Sequence, residues 1–566
     1  MARITSLRIK GYRSIREPVE VSFPRNQPVV LVGENNAGKS NIVRALNLVL
    51  GPFWPGNHDP DDHEFFGRDR DTRIEIEVEF DPSDPFGGEY SRVRWLHDST
   101  NPEPVYFKGH RDGLVGGEGW IKNEHRDSCI CVVVEADRNL NYHLGYSSKW
   151  SFLSRLMHRF HRALQTHAGV RADLQDLFVN IKGKFHEVPE FAMFVDDLNT
   201  QFSDLVASMP HRLEIDFEAY NPVNFFHALR LQAAEGNEPR TLEEMGTGEQ
   251  QVLALSFAHA YARAFHGGIV LVVEEPEAHL HPLAQQWLAK RLRAQCDDGL
   301  QLVVTTHSPA FVDVERLEGI ALVYKEDGAT RVRQRTREQL VRSCIDTGVP
   351  ADKVTAEAIL PFYAANATSD LLSGFFARAV VLVEGQTEAL ALPRLLQKRG
   401  LEVEREGMAI LGTGGKGNLG KWCRLYQAYG IPCYLVFDND PEDDDSGNKR
   451  ADALRAVGIA EEDIGQLIAV DDWVVRDEYT IFGTDFEINL RDSFARYSEL
   501  EGQARQTGID SKPFIARWVV ERLDSASGDA GWARVDEMIA ALKKRLPTPS
   551  PAAAETTVGD DASAGQ

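Results

Sequence analysis

The sequence predicts an α/β protein with two successive α/β domains and helical segments between and after them. Short apolar, strand-like runs alternate with helical segments as far as about residue 345, and a second alternation of the same kind starts at Ala379. Such alternation is typical of α/β domains with parallel sheets. At 566 residues the chain is also too long for one hydrophobic core.

The first alternation begins with strand-like runs, of which MARITSLRIKGYRSI contains the first. Others lie at Val29–Val32, Ile74–Phe80 and Cys129–Val134, and strands return at 269–273, 302–306 and 320–324. Between them, from 150 to about 210, the pattern becomes helical, as in KWSFLSRLMHRFHRAL and FAMFVDDLNTQFSDLVASM. A helical segment therefore interrupts the first domain.

The second alternation has strand-like runs at 379–383, 408–411 and 433–437, followed by a helical region from about 484 to 545. The tail from Pro547 is small, polar and rich in proline, which predicts disorder.

Composition excludes some classes of protein. No stretch of about 18 uncharged apolar residues occurs, so we expect no membrane contact. Six dispersed cysteines without a CxxC pair indicate free thiols and a cytoplasmic location. The net charge of -24 argues against a generic nucleic-acid binder, although a local basic surface would still permit phosphate contacts.

The motif Gly33-Glu-Asn-Asn-Ala-Gly38-Lys39-Ser40 fits GxxxxGK[ST] and lies between an apolar strand and an amphipathic helix. In such a loop the backbone N–H groups wrap the phosphates of a nucleotide. Lys39 would neutralise the β- and γ-phosphates, and Ser40 would hold Mg²⁺. The predicted ATP contacts in this loop are Gly33, Asn36, Gly38, Lys39, Ser40 and Asn41.

Three further motifs follow in the order expected of an ABC-type ATPase. Met245–Gln251 resembles the ABC signature loop, with Gly246, Gly248 and Gln250 as nucleotide contacts. The strand IVLVV ends in Glu274, the predicted metal-side acid, and Glu275, the predicted general base. LVVTTHSP places His307 in a loop that resembles the switch-histidine loop.

Taken alone, the signature loop is a weak match, and the other two motifs each have a plainer alternative. Two acids after a strand also occur in solvated turns, and His307 would more often be a structural histidine. His279 and His281 in AHLHP could suggest a metal pair, but a turn is the favoured interpretation. The order of the motifs favours the ATPase.

Because an ABC signature acts on ATP held by a second subunit, we expect at least a homodimer. No heptads are sustained in the helical segment, which favours a short dimerisation hairpin over a long coiled coil.

A second set of acids follows the strands of the second domain. Glu384 and Glu388 come after RAVVLV, and Asp438 and Asp440 come after IPCYLVF. Because parallel strands end at one edge of a sheet, these carboxylates should meet there and repel one another unless divalent cations neutralise them. All-oxygen ligands suit Mg²⁺ or Mn²⁺, and a pair of ions can activate water against a phosphodiester. The acid run PEDDDSGNK after Asp440 is interpreted as a solvated turn.

The EGxxE turn, the glycine-lysine loop LGTGGKGN and the DxD resemble the Toprim fold. A P-loop ATPase followed by Toprim resembles the OLD (overcoming lysogenization defect) family of nucleases from residue 1 to about 525. The resemblance implies a further acid, matched by Glu487 in TDFEINL, and a lysine near the scissile phosphate, matched by Lys512 in SKPFIARW. It also implies a dimer, DNA cleavage often linked to phage defence, and in some members a separate helicase-like partner.

The predicted function is an ATP-hydrolysing DNA endonuclease with two metal ions at the Toprim site and one with the nucleotide. The alternative is an ATP-gated DNA sensor or clamp of the RecF/SMC type with an inactive Toprim domain. A basic phosphate track is predicted from residues near the site in sequence: Lys398, Arg399, Lys416, Lys421, Arg424, Lys512 and Arg517.

The predicted domain organisation has an ATPase split by the insert. Its parts are 1–150 and 216–345 (ATPase), 151–215 (helical dimerisation insert), 346–376 (linker), 377–480 (Toprim core), 481–546 (helical part completing the nuclease site) and 547–566 (tail).

Overall fold

A computed structural model describes residues 2–101, 104–112, 117–134, 187–205, 233–235, 238–240, 268–440 and 446–547. It also describes Asp444 and isolated positions between 167 and 184 and at 256 and 260. These residues form two compact units, one of residues 1–133 and 267–566, the other of residues 134–266.

Elements up to residue 134 belong mainly to an antiparallel sheet and the P-loop helix. The strands are β1 (Ile4–Lys10), β2 (Val19–Ser22), β3 (Val29–Val32), β4 (Ile74–Phe80), β5 (Arg92–His97), β6 (Val105–Arg111), β7 (Gly117–Trp120) and β8 (Cys129–Val134). The helices are α1 (Lys39–Leu50) and the single turn α2 (Asn123–Arg126), with 3-10 turns at Pro55–Asn57, Asp62–Glu64 and Phe66–Arg68.

The second unit contains the helix α3 (Pro189–Leu205) and an antiparallel hairpin of β9 (Ala233–Glu235) and β10 (Glu238–Arg240). Helix α3 lies within the segment predicted to be helical. The other predicted helical stretch, residues 149–164, lies outside the described residues.

The chain returns to the first unit through strands that carry the ATPase motifs. These elements are β11 (Gly268–Glu274), α4 (Pro282–Asp297), β12 (Gln301–Thr305), β13 (Ile320–Glu326), β14 (Ala329–Arg333) and α5 (Arg337–Asp346), with 3-10 turns at Pro309–Phe311 and Val314–Gly319. The predicted linker is itself largely helical, with α6 (Ala356–Asn366), α7 (Ser369–Ser373) and a 3-10 turn at Gly374–Phe376.

Two sheets build the ATPase part. The antiparallel sheet has the order β2-β1-β4-β5-β6-β7, and the other has the order β14-β13-β3-β12-β11-β8. In the second sheet β13, β3, β12 and β11 are parallel neighbours. All four residues of β3 are buried, because both faces of the strand are covered. The parallel direction brings the P-loop and the acids after β11 to one edge.

The Toprim part has its own sheet, in the order β16-β15-β17-β19-β18, in which the first four strands are parallel and the edge strand β18 is antiparallel. Its elements are β15 (Ala379–Val383), α8 (Gln386–Lys398), β16 (Met408–Gly412), α9 (Lys416–Ala428), β17 (Cys433–Asp438), α10 (Asn448–Ala456), α11 (Glu461–Leu467), β18 (Val474–Val475), β19 (Tyr479–Phe482), α12 (Phe486–Ser493), α13 (Tyr497–Gln506), α14 (Lys512–Val520) and α15 (Gly531–Arg545). The helical region predicted at 484–545 corresponds to α12–α15.

Hydrogen bonds join the ATPase and Toprim parts within the first unit. The buried Tyr429 after α9 donates its hydroxyl to the carbonyl of Leu317 at 2.9 Å, and Arg333 of β14 donates to the carbonyl of Tyr429 at 2.8 Å. Arg335 donates to the carbonyl of Ala428. These contacts tie α9 to the edge of the ATPase sheet.

All six cysteines are buried and unpaired, which confirms the prediction of free thiols. Among the described residues, no helix combines the length and apolar character needed to cross a bilayer.

A buried carboxylate ties the segment after α1 to the end of β1. Glu64 accepts hydrogen bonds from the Tyr12 hydroxyl at 3.0 Å and the Asp61 N–H at 3.2 Å, and its Oε2 lies 2.9 Å from His58 Nε2. Burial alone would raise the pKa of Glu64, but these hydrogen bonds and the charge on His58 outweigh it and lower the pKa to about 2. The ionised form is therefore favoured in the folded state.

We expect Glu64→Gln to lower the free energy of unfolding by on the order of 2–3 kcal/mol near pH 5.5. The folded-state pKa lies below the unfolded value, so the stabilisation is present above about pH 4.5 and is lost as the pH falls towards 2. Urea unfolding at pH 5.5, 4.5 and 3.5 should show the difference between the two proteins shrinking. The exposed Glu20→Gln on β2 is the matched control. A difference that is constant with pH would contradict this account.

Candidate functional sites

The P-loop connects β3 to α1 in a conformation that two glycines make possible. Gly33 has φ +133°, and a Cβ there would lie 2.0 Å from the carbonyl oxygen of Val323. Gly38 has φ +112°, and a Cβ there would lie 2.2 Å from the Thr330 hydroxyl. Any larger residue would clash with β13 or β14 and strain the backbone.

Lys39 is the first residue of α1 and is buried. Its ammonium donates to the carbonyl oxygens of Gly33 and Glu34, each at 2.9 Å. Burial lowers the pKa of Lys39 to about 8, against the opposing effect of nearby Glu275 and Glu277. The Lys39 ammonium is partly desolvated and contacts only neutral carbonyl oxygens, so it is suited to bind a negatively charged phosphate.

A hydroxyl network supports the loop from behind. Asn41 donates to the Ser14 hydroxyl at 2.7 Å, and Ser14 lies 2.7 Å from the Thr330 hydroxyl, which donates to the carbonyl of Ala37 at 2.7 Å. Sequence reasoning missed Ser14 and Thr330. Neither belongs to a motif, and only the fold brings residues more than 300 positions apart together.

The neighbouring predicted residues of the loop lie in the same turn. Asn36 has a left-handed backbone with φ 62°, and Ser40 follows Lys39 in the first turn of α1.

The two acids predicted to serve ATP hydrolysis follow β11. Glu274 is the last residue of β11 and is paired in register with Thr305 of β12. Glu275 has a left-handed backbone, φ 45°, and its N–H donates to the carbonyl of Thr305 at 2.9 Å. Because β12 pairs with both β11 and β3, only β12 separates the strand that ends in these acids from the P-loop strand.

Glu277 is a residue that the motif reasoning missed. Its carboxylate accepts the backbone N–H of His307 at 2.5 Å and the Thr306 hydroxyl at 2.8 Å. Burial, followed by the charge of Lys39, lowers the pKa of His307. Glu277 thus fixes the loop that carries His307. A third acid two residues after Glu275 was the available signal.

The two other histidines have local roles. The His281 side chain accepts the N–H of Ala284 at 3.3 Å and caps α4, and His279 lies in a left-handed turn with φ 61°. The predicted turn is therefore present at His279, whereas His281 lies at the start of the helix. The predicted signature residues Gly246, Gly248 and Gln250 lie outside the described residues.

The Toprim acids meet at the carboxyl edge of their sheet. β15 and β17 are adjacent and parallel, with Val383 opposite Val436, so Glu384 and Asp438 follow at nearly the same level. β19 lies on the other side of β17, with Phe482 opposite Asp438, and leads into α12, which carries Glu487. Glu388 lies in the first turn of α8, where its Oε2 accepts the N–H of Gly385 at 2.9 Å.

The surroundings of Asp438 strongly disfavour its ionised form. Burial, followed by the negative charges of Glu388, Glu384 and Glu487, raises the pKa of Asp438 well above its usual range. Burial also raises the pKa of Glu487. Oδ1 of Asp438 and Oε1 of Glu487 are buried, and neither takes a hydrogen bond from the part of the chain that the structure describes. Buried carboxylate oxygens without donors are costly.

Two lysines partly offset this negative charge. The buried Lys416 at the start of α9 has its ammonium 3.7 Å from Glu384 Oε2 and 3.4 Å from the carbonyl oxygen of Asp440. Lys512, which begins α14 and remains exposed, lies 3.0 Å from Glu487 Oε2. Although partial burial lowers the pKa of Lys512, the hydrogen bond to Glu487 outweighs it and raises that pKa.

This donor set fits divalent cations by its chemistry. The available oxygens belong to carboxylates, which divalent cations prefer. Oδ1 of Asp438 and Oε1 of Glu487 lack a donor among the described residues, and the Lys416 ammonium already lies beside Glu384. In the described residues, however, no three His, Cys, Asp or Glu side chains form a ready coordination shell. Glu388 and Glu487 each face a protein donor instead, so cation binding would require these side chains to turn.

The predicted phosphate track is wrong for Arg424. That side chain is 1% exposed and donates to Asp452 at 2.8 Å and to the Thr347 hydroxyl at 2.8 Å. It joins α9 to Asp452 of α10 and to Thr347 at the end of α5, and it is not accessible to solvent. Arg399 is committed to Asp536 and the carbonyl of Ser525, and Arg517 pairs with Glu521. Lys416 and Lys512 are the members placed beside the acids.

Family comparisons agree with this arrangement. Residues 29–313 match the family described as "AAA domain, putative AbiEii toxin, Type IV TA system". Residues 375–440 match "Overcoming lysogenization defect protein-like, TOPRIM domain". An OLD nuclease of Thermus scotoductus is 26% identical over 461 residues, covering 77% of this chain and 81% of the relative. The endonuclease GajA of Bacillus cereus is 20% identical over 462 residues, covering 77% of this chain and 75% of the relative.

Among solved structures, an Smc head domain with an extended coiled coil from Pyrococcus furiosus is similar with a TM-score of 0.38 and 16% identity. The match covers 60% of this chain and 98% of that one.

The fold and the two sites define a P-loop ATPase joined to a Toprim domain, which confirms the predicted α/β class and domain types. The chain belongs to the family described as "AAA domain, putative AbiEii toxin, Type IV TA system", and its Toprim domain is of the overcoming lysogenization defect protein-like type.

We expect Asp438→Asn to stabilise the protein in the presence of EDTA. The raised pKa means that the ionised carboxylate is disfavoured in the folded state, so at neutral pH the neutral amide should relieve repulsion. A gain of roughly 1 kcal/mol corresponds to about 2–4 °C in melting temperature. In the wild type, Mn²⁺ should raise the melting temperature, and this rise should be lost in the variant.

Asp452→Asn, in the same domain and paired with the buried Arg424, is the control and should destabilise instead. A lower melting temperature for Asp438→Asn in EDTA would contradict the repulsion argument.

Proposed function

We propose that this protein is an ATP-hydrolysing, divalent-metal-dependent DNA endonuclease or nickase that cuts at the Toprim site. The supporting observation is the meeting of Glu384, Glu388, Asp438 and Glu487 at one sheet edge, with carboxylate oxygens of Asp438 and Glu487 buried without donors among the described residues. A structural cluster would be expected to satisfy its buried oxygens.

The names of the relatives support the class of substrate. Two relatives that each align over 77% of this chain are named as a nuclease and an endonuclease. The alignments are long enough to include both the P-loop and the Toprim regions, so we carry the nuclease activity over to this chain as a proposal.

The Toprim residues divide into cation holders and a phosphate contact. Two Mg²⁺ or Mn²⁺ ions would be held by Glu384, Glu388, Asp438, Asp440 and Glu487. When bound, such ions lower the pKa of water and neutralise charge on a phosphodiester. We assign Glu384 the role closest to the reacting water. Lys512 has an exposed ammonium beside Glu487 and would contact the scissile phosphate.

The ATPase residues divide in a similar way. Lys39 would move from the carbonyl oxygens of Gly33 and Glu34 to the phosphates. Ser40 and Glu274 would hold the nucleotide's Mg²⁺, Glu275 would orient the attacking water, and His307 would contact the γ-phosphate.

A second candidate function is an ATP-gated DNA sensor or clamp with an inactive Toprim domain. The favouring observation is that Glu487 and Glu388 are already engaged by Lys512 and a backbone N–H. Such a protein would hydrolyse ATP and bind DNA without cutting it.

Further parts of the proposal concern the cell. They are a homodimer or higher oligomer formed with the help of residues 151–215, a cytoplasmic location, a role in phage defence or DNA repair, and a separate helicase-like partner. They are supported by the similarity to OLD nucleases and to the endonuclease GajA, and each awaits its own experiment.

The central test is nicking of supercoiled plasmid DNA with Mg²⁺ or Mn²⁺. Because Glu384 lies among the cation-holding acids, Glu384→Ala should reduce nicking at least about a hundredfold, beyond the usual effect of outer contacts at metal sites. Lys39→Ala should abolish ATP hydrolysis. The measurement is the rate at which supercoiled plasmid becomes open circles.

The control is Glu404→Ala, an exposed acid of the same domain, which should nick like the wild type. Nicking that survives Glu384→Ala would refute the site. A wild type that hydrolyses ATP and binds DNA but cuts neither supercoiled nor linear DNA would establish the clamp.

We propose that the segment Phe376–Arg378 couples the two sites. The Phe376 ring lies 6.5 Å from the ring of His307, and the Arg378 guanidinium lies 3.7 Å from the carboxylate of the P-loop residue Glu34. β15 begins one residue later and ends beside Glu384. At about 3.3 Å per residue, the six steps along the chain from Arg378 to Glu384 cover roughly 20 Å.

Arg378→Ala should therefore weaken the effect of a non-hydrolysable ATP analogue on nicking while leaving nucleotide-free nicking in place. A partly exposed ion pair contributes about 0.2–1 kcal/mol, so the ratio of rates with and without the analogue should move towards unity by about 1.4- to fivefold. The exposed Arg405→Ala is the matched control. If both variants keep the wild-type ratio, this segment does not carry the coupling.

A further inference from the structure

The chain beyond Asp440 contains a buried ion pair where the sequence indicates a solvated turn. Asp444, in the run PEDDDSGNK, is 5% exposed, and Arg450 in the first turn of α10 is also 5% exposed. Asn439, between the two predicted metal-holding acids, is 3% exposed. Three polar side chains are thus buried beside the Toprim site.

Arg450 uses its whole guanidinium to hold this region together. Nη1 donates to the carbonyl oxygen of Asn439 at 2.9 Å and to that of Ile468 at 3.0 Å. Nη2 donates to the carbonyl oxygen of Asp444 at 2.8 Å, and Nε lies 3.4 Å from the Asp444 carboxylate. The carboxylate also accepts the N–H groups of Lys449 and Arg450 at 3.0 Å each, which anchors the start of α10.

Asn439 is fixed from its other side as well. Its amide donates to the carbonyl oxygens of Leu467 at 3.0 Å and Val470 at 2.8 Å, and its N–H donates to Phe482 of β19 at 2.7 Å. Every described polar group of Asn439 is therefore held by the protein, which leaves this residue little freedom to rotate.

The geometry points to Arg450, together with Asp444, as a positioning residue for the cation-holding acids. Successive side chains of an extended chain alternate in direction, so Asp438 and Asp440 face one way while Asn439 faces the other. Locking Asn439 into the α10–α11 layer therefore sets the direction of both carboxylates. This inference depends on the proposed metal-dependent function of the Toprim site.

Arginine suits this role because its donors reach three carbonyl oxygens in different directions. Lysine has a single ammonium on a flexible stem and would leave at least one of these buried carbonyls without its donor. Asp444 is required as the counter-charge, since a guanidinium among neutral carbonyls would be an unpaired buried charge.

The test is Mn²⁺ binding to the full chain without nucleotide, followed by electron paramagnetic resonance of the free ion. Binding that Asp438→Asn removes is assigned to the Toprim site. Arg450→Lys and the isosteric Asp444→Asn should each weaken this binding about tenfold to a hundredfold, the range found for outer contacts at metal sites. Thermal unfolding shows that the variants remain folded.

The matched control is Arg424→Lys. Arg424 is an equally buried arginine of the same domain. It pairs with Asp452 at 2.8 Å and donates to Thr347, and it contacts none of the proposed cation-holding acids. It should lose thermal stability while keeping wild-type Mn²⁺ affinity.

Wild-type Mn²⁺ affinity in folded Arg450→Lys and Asp444→Asn would overturn the inference, as would an equal loss in Arg424→Lys. Absence of Asp438-dependent binding in the wild type would overturn it too. A wild type that binds Mn²⁺ but cuts no DNA would refute the proposed nuclease while the inference stands. A wild type that cuts DNA, with unaltered binding in the Arg450 variant, would refute only the inference.

Discussion

Mutual repulsion among the carboxylates around Asp438 is the constraint on which the Toprim part depends. The negative charges of Glu384, Glu388 and Glu487 disfavour the ionised form of the buried Asp438. Each of these side chains therefore needs a contact that holds it in place. The structure holds them with a helix cap for Glu388, an ammonium for Glu487 and another for Glu384. The apolar strands β15 and β17 supply the rigid frame, since all residues of β15 are buried.

The ATPase and Toprim sites solve a common problem in the same way. Both lie where parallel strands end, and both hold a buried lysine against protein oxygens: Lys39 on P-loop carbonyls and Lys416 between Glu384 and Asp440. In each site the lysine ammonium lies beside the protein groups that are proposed to bind a charged ligand. In each site the lysine thus lowers the electrostatic cost of the neighbouring oxygens in the absence of a ligand.

Strands and motifs were readable from the sequence because they are local. β3, β4, β8 and β15 have the predicted bounds, since continuous apolar runs bounded by turn residues leave little choice. The supports of the sites were not readable. Ser14, Thr330 and Glu277 act through hydrogen bonds that only the folded chain creates, and Asp444 was hidden in a run of acids that resembles a solvated turn. Arg424 was misassigned because a charge gives no sign of its burial.

The burial of every cysteine has a consequence for the chemistry of the surface. Burial raises the pKa of Cys129 and Cys296 to about 12 and that of Cys344 to about 11, so almost no thiolate exists at neutral pH. Thiol-alkylating reagents therefore find no exposed cysteine in the folded protein. A cysteine introduced on an exposed face would be selectively reactive, and distances between such labels would report domain movements without removal of any native thiol.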